Sequence, residues 1–201
     1  MGCGAHPAAA CRGLEHGEGM THQESALAAH AAAEGRALVI VANKLDALPL
    51  EQAQRALELV RRAAEAAVPD ARGLPVLGVS ALTGRGAGAL LPAALAAYDT
   101  WNRRVPTSGV NRWLEGLAAQ YAVGGGSDLR RIKYVAQVKA RPPTFVVFIT
   151  GTAPLPDASR RFLANQLRER FGFAGVPLRI TVRNKTRPPR PKARKPRRHE
   201  R

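Results

Sequence analysis

The chain contains little cysteine and few aromatic residues. Of its 201 residues, two are cysteines, Cys3 and Cys11, and 5% are aromatic. Two cysteines build no disulfide framework, so a reducing, cytoplasmic compartment is expected. Together with His6 and His16 they match no common zinc-finger spacing, so no metal site is predicted. No apolar segment has the length of a bilayer crossing, so we expect no membrane partner.

Acidic residues become scarce after residue 100. Residues 1–100 carry 8 basic and 10 acidic residues, residues 101–182 carry 13 and 4, and residues 183–201 carry 10 and 1. Such a basic half predicts a polyanionic partner, and we expect RNA or a ribosome rather than DNA. The change near Trp101 also indicates two domains, since a chain of this length is sufficient for two small cores.

A polar tetrapeptide, Asn43-Lys44-Leu45-Asp46, directly follows an apolar run at residues 37–42 that is typical of a buried strand. A carboxylate at Asp46 accepts both adjacent donors of guanine, N1–H and the 2-amino group. Asn43 is expected to hold the loop and reach the N7/O6 edge, with the stem of Lys44 along one face of the base. Leu45 is left free to vary. The tetrapeptide therefore predicts a guanine-recognition loop.

The residues after this loop continue a strand and helix alternation. A helix is predicted over residues 50–67, a strand over residues 74–79 and a second helix over residues 88–102, which indicates a parallel sheet with crossover helices. Ser80-Ala81-Leu82 then lies at the carboxyl end of its strand, the edge where such sheets bind ligands. The N–H of Ala81 is expected to meet guanine O6. The predicted base contacts are Asn43, Lys44, Asp46, Ser80, Ala81 and Leu82.

The phosphate-binding residues of a GTPase are missing from these 201 residues. Hydrolysis requires a Gly-rich loop ending in Gly-Lys-Ser/Thr and an upstream aspartate for Mg²⁺. The chain has no Gly-Lys dipeptide, and no aspartate precedes Asp46. Residues 70–73 spell Asp-x-x-Gly, but they lead into a strand, and we interpret them as a surface turn. We predict no catalytic residue, weak or absent GTP binding, and Mg²⁺ only in a longer relative.

The second half predicts a small α-β-β-α-β domain. Helical spacing covers residues 107–123 and 158–171, and strand patterns cover residues 132–139, 145–150 and 176–182. Its only Gly-x-x-Gly spacing, residues 172–175, has apolar middle residues. We interpret it as a turn that packs, and therefore predict a docking module rather than a reader of RNA sequence.

These two segments together resemble one family. The second half is similar to the C-terminal part of the ribosome-assembly GTPase family called Der, or EngA, and residues 34–40 resemble its second GTPase domain. The strings that carry the resemblance are Asn111-Arg112-Trp113-Leu114, Ile132-Lys133-Tyr134, Arg141-Pro142-Pro143-Thr144-Phe145 and Gly175-Val176-Pro177-Leu178-Arg179. Family members commonly carry Trp where this chain has Leu45. The resemblance, over residues 18–182, implies a GTP-binding protein that acts with the large ribosomal subunit and its rRNA.

The predicted fold is α/β: the C-terminal half of a P-loop GTPase with a Rossmann-like parallel sheet, then an α+β KH-like domain and a disordered basic tail. Residues 1–17 are expected to be an unstructured leader, residues 18–104 the GTPase portion, residues 105–182 the KH-like domain and residues 183–201 the tail. Candidate rRNA contacts are basic residues of the domain and tail: Arg130, Arg131, Lys133, Lys139, Arg141, Arg187, Arg190, Lys192, Arg194, Lys195, Arg197 and Arg198.

Two functions remain open at this point. In one, the chain is part of a ribosome-biogenesis GTPase and holds the base-binding half of its GTP site. In the other, it is a non-enzymatic RNA- or ribosome-binding module with a vestigial guanine-binding half-domain. The basic residues also have a plain alternative, since a solvated basic face and a solubilising tail have the same composition.

Overall fold

The first half of the chain forms a three-stranded parallel sheet. The structure is a computed structural model and describes residues 8–13, 19–120 and 127–184. For residues 8–13 and 127 it describes the backbone alone. Its strands are β1 (Ala8–Gly13), β2 (Leu38–Asn43) and β3 (Val76–Gly78), in the order β1-β2-β3. Both strand pairs are parallel, and the pairing of β2 with β3 is the one that the alternation of strands and helices predicts.

Three helices accompany this sheet: α1 (His22–Ala33), α2 (Leu50–Ala67) and α3 (Leu90–Asn102). Helix α1 was not predicted. It begins at a capping box in which the Thr21 hydroxyl accepts from the N–H of Glu24, and the Glu24 carboxylate accepts from the N–H of Thr21 at 2.7 Å. None of the helices in the described ranges is long and apolar enough to cross a membrane.

The second half forms a mixed three-stranded sheet with two long helices. Strand β4 (Ile132–Lys139) pairs antiparallel with β5 (Thr144–Ile149), which pairs parallel with β6 (Arg179–Asn184). The helices are α4 (Thr107–Gln120), the short α5 (Ser127–Arg130) and α6 (Asp157–Phe171), which connects β5 to β6. The predicted α-β-β-α-β order is present, with α5 as an additional turn.

Asn111 ties helix α4 to the edge strand β4. Its Oδ1 accepts from the N–H of Val135 at 3.0 Å, and its Nδ2 donates to the Val135 carbonyl at 2.9 Å. The outer backbone groups of an edge strand otherwise face water. One amide side chain therefore satisfies both groups of Val135 and fixes the helix against the sheet.

Two predicted boundaries are wrong. Residues 8–13, predicted as unstructured leader, form β1, because the backbone of β2 offers them a parallel ladder that no side-chain pattern announces. Arg183 and Asn184, predicted as tail, belong to β6, because β5 extends far enough to pair with both. Residues 185–201, and with them the remaining tail predictions, lie outside the described residues.

Strand β2 is buried on both faces. Leu38, Ile40 and Ala42 belong to an apolar cluster with α1 and α2, whereas Val39 and Val41 belong to a second cluster with α3. Alternate residues of a strand face opposite sides of its sheet, and a strand covered on both sides has a continuous apolar sequence. The second cluster continues into the KH-like domain, so the two domains share one core.

Trp101 lies at the centre of this shared core. It is 1% exposed, and its indole Nε1–H donates to the buried carbonyl of Gly35 at 2.8 Å. Gly35 itself has φ 82, and a Cβ there would lie 2.6 Å from Cγ of Pro142 in the second domain. The last turn of α3, the entry to β2 and the β4–β5 connection therefore meet at one point.

Trp101→Phe is expected to lower the free energy of unfolding by about 1–3 kcal/mol, because the buried Gly35 carbonyl loses its donor. Urea unfolding followed by circular dichroism measures the change. The matched control is Trp113→Phe, because half-buried Trp113 packs edge-on against Phe171 at 5.6 Å and has no hydrogen bond in the described part of the chain. Equal losses from the two substitutions would contradict a special role for the indole donor.

Candidate functional site

The predicted guanine-recognition loop begins where β2 ends, at Asn43. Lys44 adopts the left-handed conformation, φ 63 and ψ 37, and the residues Leu45–Ala47 form a 3-10 turn. Non-glycine residues rarely adopt this conformation, and they do so mostly at turns and functional sites. It turns the chain so that Lys44 and Asp46 are exposed while Leu45 points inward.

A single oxygen holds the two predicted segments together. Asn43 Oδ1 accepts from the N–H of Lys44 at 2.8 Å and from the N–H of Ala81 at 3.0 Å. The backbone N–H of Leu45 also donates to the carbonyl of Val79, at 3.0 Å. Residues 38 apart in the chain therefore lie side by side at the carboxyl edge of the sheet, where the sequence predicts the base site.

The Ala81 N–H has a partner within the protein. We expected it to face guanine O6, but it donates to Asn43, because the end of β2 brings that side chain within hydrogen-bond distance. Ser80 is fully buried, and its Oγ accepts from the N–H of Thr83 at 3.1 Å, so it closes the turn. Leu82 is 86% exposed. Of these three residues, only Ala81 and Leu82 are at the surface.

Leu45 is not free to vary, contrary to the sequence-based expectation. It is 9% exposed and packs in the cluster of α1 and α2. A Cβ at Gly78, on the next strand, would lie 3.2 Å from Leu45 Cδ1 and 2.8 Å from Leu57 Cδ1. The side chain therefore anchors the loop to the core, which is why the tetrapeptide turns as it does.

Asp46 is the residue best placed to meet a base. Its side chain is exposed, and within the described part of the chain it has no hydrogen bond or ion pair. A carboxylate that is not engaged by the protein keeps both oxygens for the two donors of guanine. The residues present thus fit the base of GTP. The same residues offer no phosphate cradle, and no group of three His, Cys, Asp or Glu in the described ranges suits a metal ion.

Arg131 is removed from the candidate RNA contacts by its own hydrogen bonds. Its Nε donates to the carbonyl of Thr150 at 3.2 Å, and its two terminal nitrogens donate to the carbonyls of Ala153 and Pro154. It also pairs with Asp128 at 3.5 Å. The guanidinium therefore fixes the loop after β5, because that loop turns its carbonyls toward the start of β4.

The other described candidates remain at the surface. Arg130, Lys133, Lys139 and Arg141 are all exposed. Lys133 and Lys139 lie near the two ends of the edge strand β4, and charged residues on an edge also discourage pairing with other chains. Arg141 donates to the hydroxyl of Tyr98 on α3 at 3.3 Å, so it stands at the domain boundary. The candidates from Arg187 to Arg198 lie outside the described residues.

Two turns that looked unrelated in sequence meet between the domains. Residues 69–73 and residues 172–175 form a contact that we call the seam. The N–H of Gly175 donates to the carbonyl of Arg72 at 2.7 Å, and Phe173 is fully buried. The packing turn predicted for residues 172–175 is confirmed. The turn at residues 70–73 is present too, but it is not simply a surface turn, because the second domain packs on it.

Asn43→Ala is expected to release the turn at residues 80–84, because the Ala81 N–H loses its acceptor. We expect exchange of the Ala81 amide at least tenfold faster, equivalent to about 1.4 kcal/mol of local stability. Amide hydrogen exchange followed by NMR measures it. Asp46→Ala is the control, expected to change stability by no more than about 0.5 kcal/mol. Unchanged exchange at Ala81 in Asn43→Ala would show that the hydrogen bond from Ala81 to Asn43 does not stabilise the turn.

Comparison with known proteins identifies both halves. Residues 104–183 match the family described as KH-domain-like of EngA bacterial GTPase enzymes, C-terminal. A protein named GTPase Der from Bradyrhizobium sp. (strain ORS 278) is 42% identical over 156 residues, which are 77% of this chain and 34% of that protein. A GTPase Der from Novosphingobium aromaticivorans is 38% identical over 176 residues, 87% of this chain and 38% of that protein. A third, from Dinoroseobacter shibae, is 41% identical over 178 residues, 86% of this chain and 35% of that protein.

These matches extend across both domains and agree with the fold. The chain spans about one third of the length of the curated relatives that it matches. The family match at residues 104–183 coincides with the second domain of the fold. On this evidence the chain belongs to the Der (EngA) family and carries that family's KH-like C-terminal domain.

Proposed function

We propose that this chain supplies the guanine-selecting half of a GTP site, together with an RNA-facing KH-like domain, in a Der-family protein that acts in assembly of the large ribosomal subunit. The observation that supports the proposal most is the Asn43 bridge, which places Lys44, Asp46 and Ala81 at one edge of the sheet. Relatives at about 40% identity are named GTPase Der.

Base selection follows from the chemistry of this edge. The Asp46 carboxylate accepts the N1–H and 2-amino donors of guanine, whereas adenine has no such adjacent pair. Asn43 uses Oδ1 within the protein, which leaves its Nδ2 donors for the N7 and O6 acceptors. The Lys44 stem lies along one face of the base. These hydrogen bonds thus favour guanine, whereas adenine would leave the Asp46 carboxylate without its two donors.

The same polypeptide does not supply the phosphate half of the site. None of its 201 residues forms a Gly-Lys-Ser/Thr sequence. In P-loop GTPases the phosphates and Mg²⁺ are held by that loop, and these contacts provide the transition-state stabilisation. We therefore propose that the isolated chain binds the guanine base weakly and does not hydrolyse GTP, and that hydrolysis belongs to a site completed by the residues lacking here.

A second function has one observation in its favour. Because the Ala81 N–H is already bonded to Asn43, the site offers one donor fewer to O6 than the sequence predicts. This favours a ribosome-binding module in which the guanine half-domain is a structural support. The two functions differ in one measurable property, namely whether Asp46 distinguishes guanine from adenine.

Asp46→Asn is expected to exchange guanosine selectivity for xanthosine selectivity. An amide at position 46 offers one acceptor and one donor, which match N1–H and the 2-oxo group of xanthine. Titration of the ¹⁵N-labelled chain with nucleosides is the measurement, and wild type is expected to bind guanosine with a Kd of about 1 mM, or about 4 kcal/mol. Nucleosides are used because phosphates would bind the basic surface.

The control for this substitution is Asp99→Asn. Asp99 is exposed near the C-terminal end of α3, and its substitution is expected to leave guanosine binding unchanged. Equal shifts with guanosine and adenosine would favour the ribosome-binding module. Calorimetry showing micromolar, Mg²⁺-dependent GTP binding by the wild-type chain would refute the half-site.

Removal of residues 185–201 is expected to weaken binding to large ribosomal subunits at low salt. The deletion ends after Asn184 so that β6 stays intact. It removes 9 basic residues and 1 acidic residue. The slope of log K against log salt is negative, and each lost phosphate contact makes it less steep by about 0.7–0.9. Co-sedimentation at several salt concentrations measures both effects, and a truncated chain with the same slope would remove the tail from the RNA-binding surface.

A further inference from the structure

Backbone packs directly on backbone at the seam. A Cβ at Gly175 would lie 2.8 Å from the carbonyl oxygen of Gly73, and one at Gly73 would lie 3.3 Å from the Cβ of Ala174. Both glycines also have positive φ, 75 and 81. Larger residues would separate the turns, so the sequence keeps the two domains in close contact here.

Arg168 of α6 crosses from the second domain to the first at this seam. One terminal nitrogen donates to the carbonyl of Asp70 at 2.5 Å, and the other donates to Oδ1 of Asn165 at 3.0 Å. The residue is 6% exposed, yet its Nε is buried without a hydrogen-bond partner in the described part of the chain. Buried hydrogen-bond donors almost always have an acceptor, and the hydrogen bonds of a charged guanidinium are stronger than those of neutral donors. This Nε therefore lacks an acceptor.

The charge of Arg168 is also only partly balanced. Burial lowers the pKa of its guanidinium, and the nearby charge of Arg72 lowers it further, whereas Asp70 and Glu169 raise it. An arginine stays protonated at neutral pH even so. The downward direction means that its surroundings disfavour the positive charge, and an added anion would relieve this.

A cavity of about 340 Å³ opens beside this guanidinium, and we call it the seam cavity. Arg72 comes from the first domain, and Arg161 and Arg168 come from the second, against one carboxylate, Asp70. The guanidinium groups of Arg72 and Arg161 are exposed and have no hydrogen bond or ion pair within the described ranges. Leu178 supplies an apolar wall, which lowers the local dielectric and strengthens each charge interaction.

The adjoining cavity shows why the positive charge is concentrated in this one. It has a volume of about 270 Å³ and shares four lining residues with the seam cavity, namely Asp70, Arg161, Ala164 and Leu178. There Arg160 is already paired with Asp157. Arg72 and Arg161, which have no ion pair within 4 Å among the described residues, both line the seam cavity.

We infer that the seam cavity binds a phosphate group. Three guanidinium groups that approach from two domains suit a tetrahedral oxyanion, whereas a planar carboxylate presents only two oxygens in one plane. The phosphate would accept from Arg72 and Arg161 and lie beside the buried guanidinium of Arg168, whose positive charge it would help to balance. It would come from an RNA backbone or from a free phosphate ion. The site does not depend on guanine recognition at Asp46.

A bound phosphate would also stabilise the contact between the domains. Arg72 belongs to the turn that precedes β3, while Arg161 and Arg168 lie on α6. An anion between them adds an attraction to each of the three cations, which offsets their mutual repulsion. Phosphate binding and closure of the seam are therefore linked, each strengthening the other.

The Arg168 Nε–H signal in a ¹⁵N spectrum of the full chain is a site-specific reporter, because burial protects this proton from exchange with solvent. We expect it to shift on titration with inorganic phosphate, and with a short single-stranded RNA if the source is an RNA backbone. The double substitution Arg72→Gln/Arg161→Gln is expected to weaken the response at least tenfold. Both positions are exposed, so the fold is expected to survive.

Arg55→Gln is the matched control, because it removes an exposed arginine that lies away from the seam. Arg55 is twelve residues before the end of α2, which is about 18 Å from that end along the helix axis. A response to RNA alone assigns the site to an RNA backbone, and a response to inorganic phosphate alone assigns it to a free ion. No shift with either probe at millimolar concentration overturns the inference. So does an equal loss in Arg55→Gln, since that would be an effect of net charge.

Discussion

Strand β2 has no solvent-facing side, and the apolar cluster on one of its faces continues into the KH-like domain. Leu38 and Ile40 face the cluster of α1 and α2, while Val39 and Val41 face α3 and the core of the KH-like domain. Each buried aliphatic side chain contributes about 1.5–3 kcal/mol relative to exposure. Removing either layer would expose apolar surface, so the KH-like domain is an integral part of this fold rather than an appendage on a linker.

The same constraint fixes the candidate guanine site. Because β2 cannot shift between its two layers, Asn43 at its end has a defined position, and its Oδ1 can hold both Lys44 and Ala81. Leu45 also fixes the loop, because its side chain is buried in the same apolar cluster as Ile40. The left-handed Lys44 is therefore held by one polar and one apolar contact, and this arrangement leaves Asp46 pointing to solvent.

What the sequence predicted correctly depends on local pattern, and what it missed depends on distant partners. The apolar run of β2 and the order of elements in the KH-like domain are visible as periodicity. Arg131 and Lys133 look equivalent in sequence, and only the carbonyls of the loop after β5 distinguish them. Arg168 looks like a surface residue of a charged helix until Asp70 appears beside it. Helix α1 had a visible signal, the capping box of Thr21 and Glu24, but its buried residues are alanines with little hydrophobic contrast.

The two ends of the parallel strands meet different surroundings. The entry to β2 contacts Trp101 and Pro142, and the turn before β3 forms the seam with residues 172–175. The exits of the same strands carry Asn43 and Ser80. At about 3.3 Å per residue, a six-residue strand separates the two sets by only about 20 Å. A rigid strand transmits a displacement but does not create one, since coupling requires an element with two states. The seam, with a buried cation that lacks an acceptor, is the part of this path on which a bound anion would act.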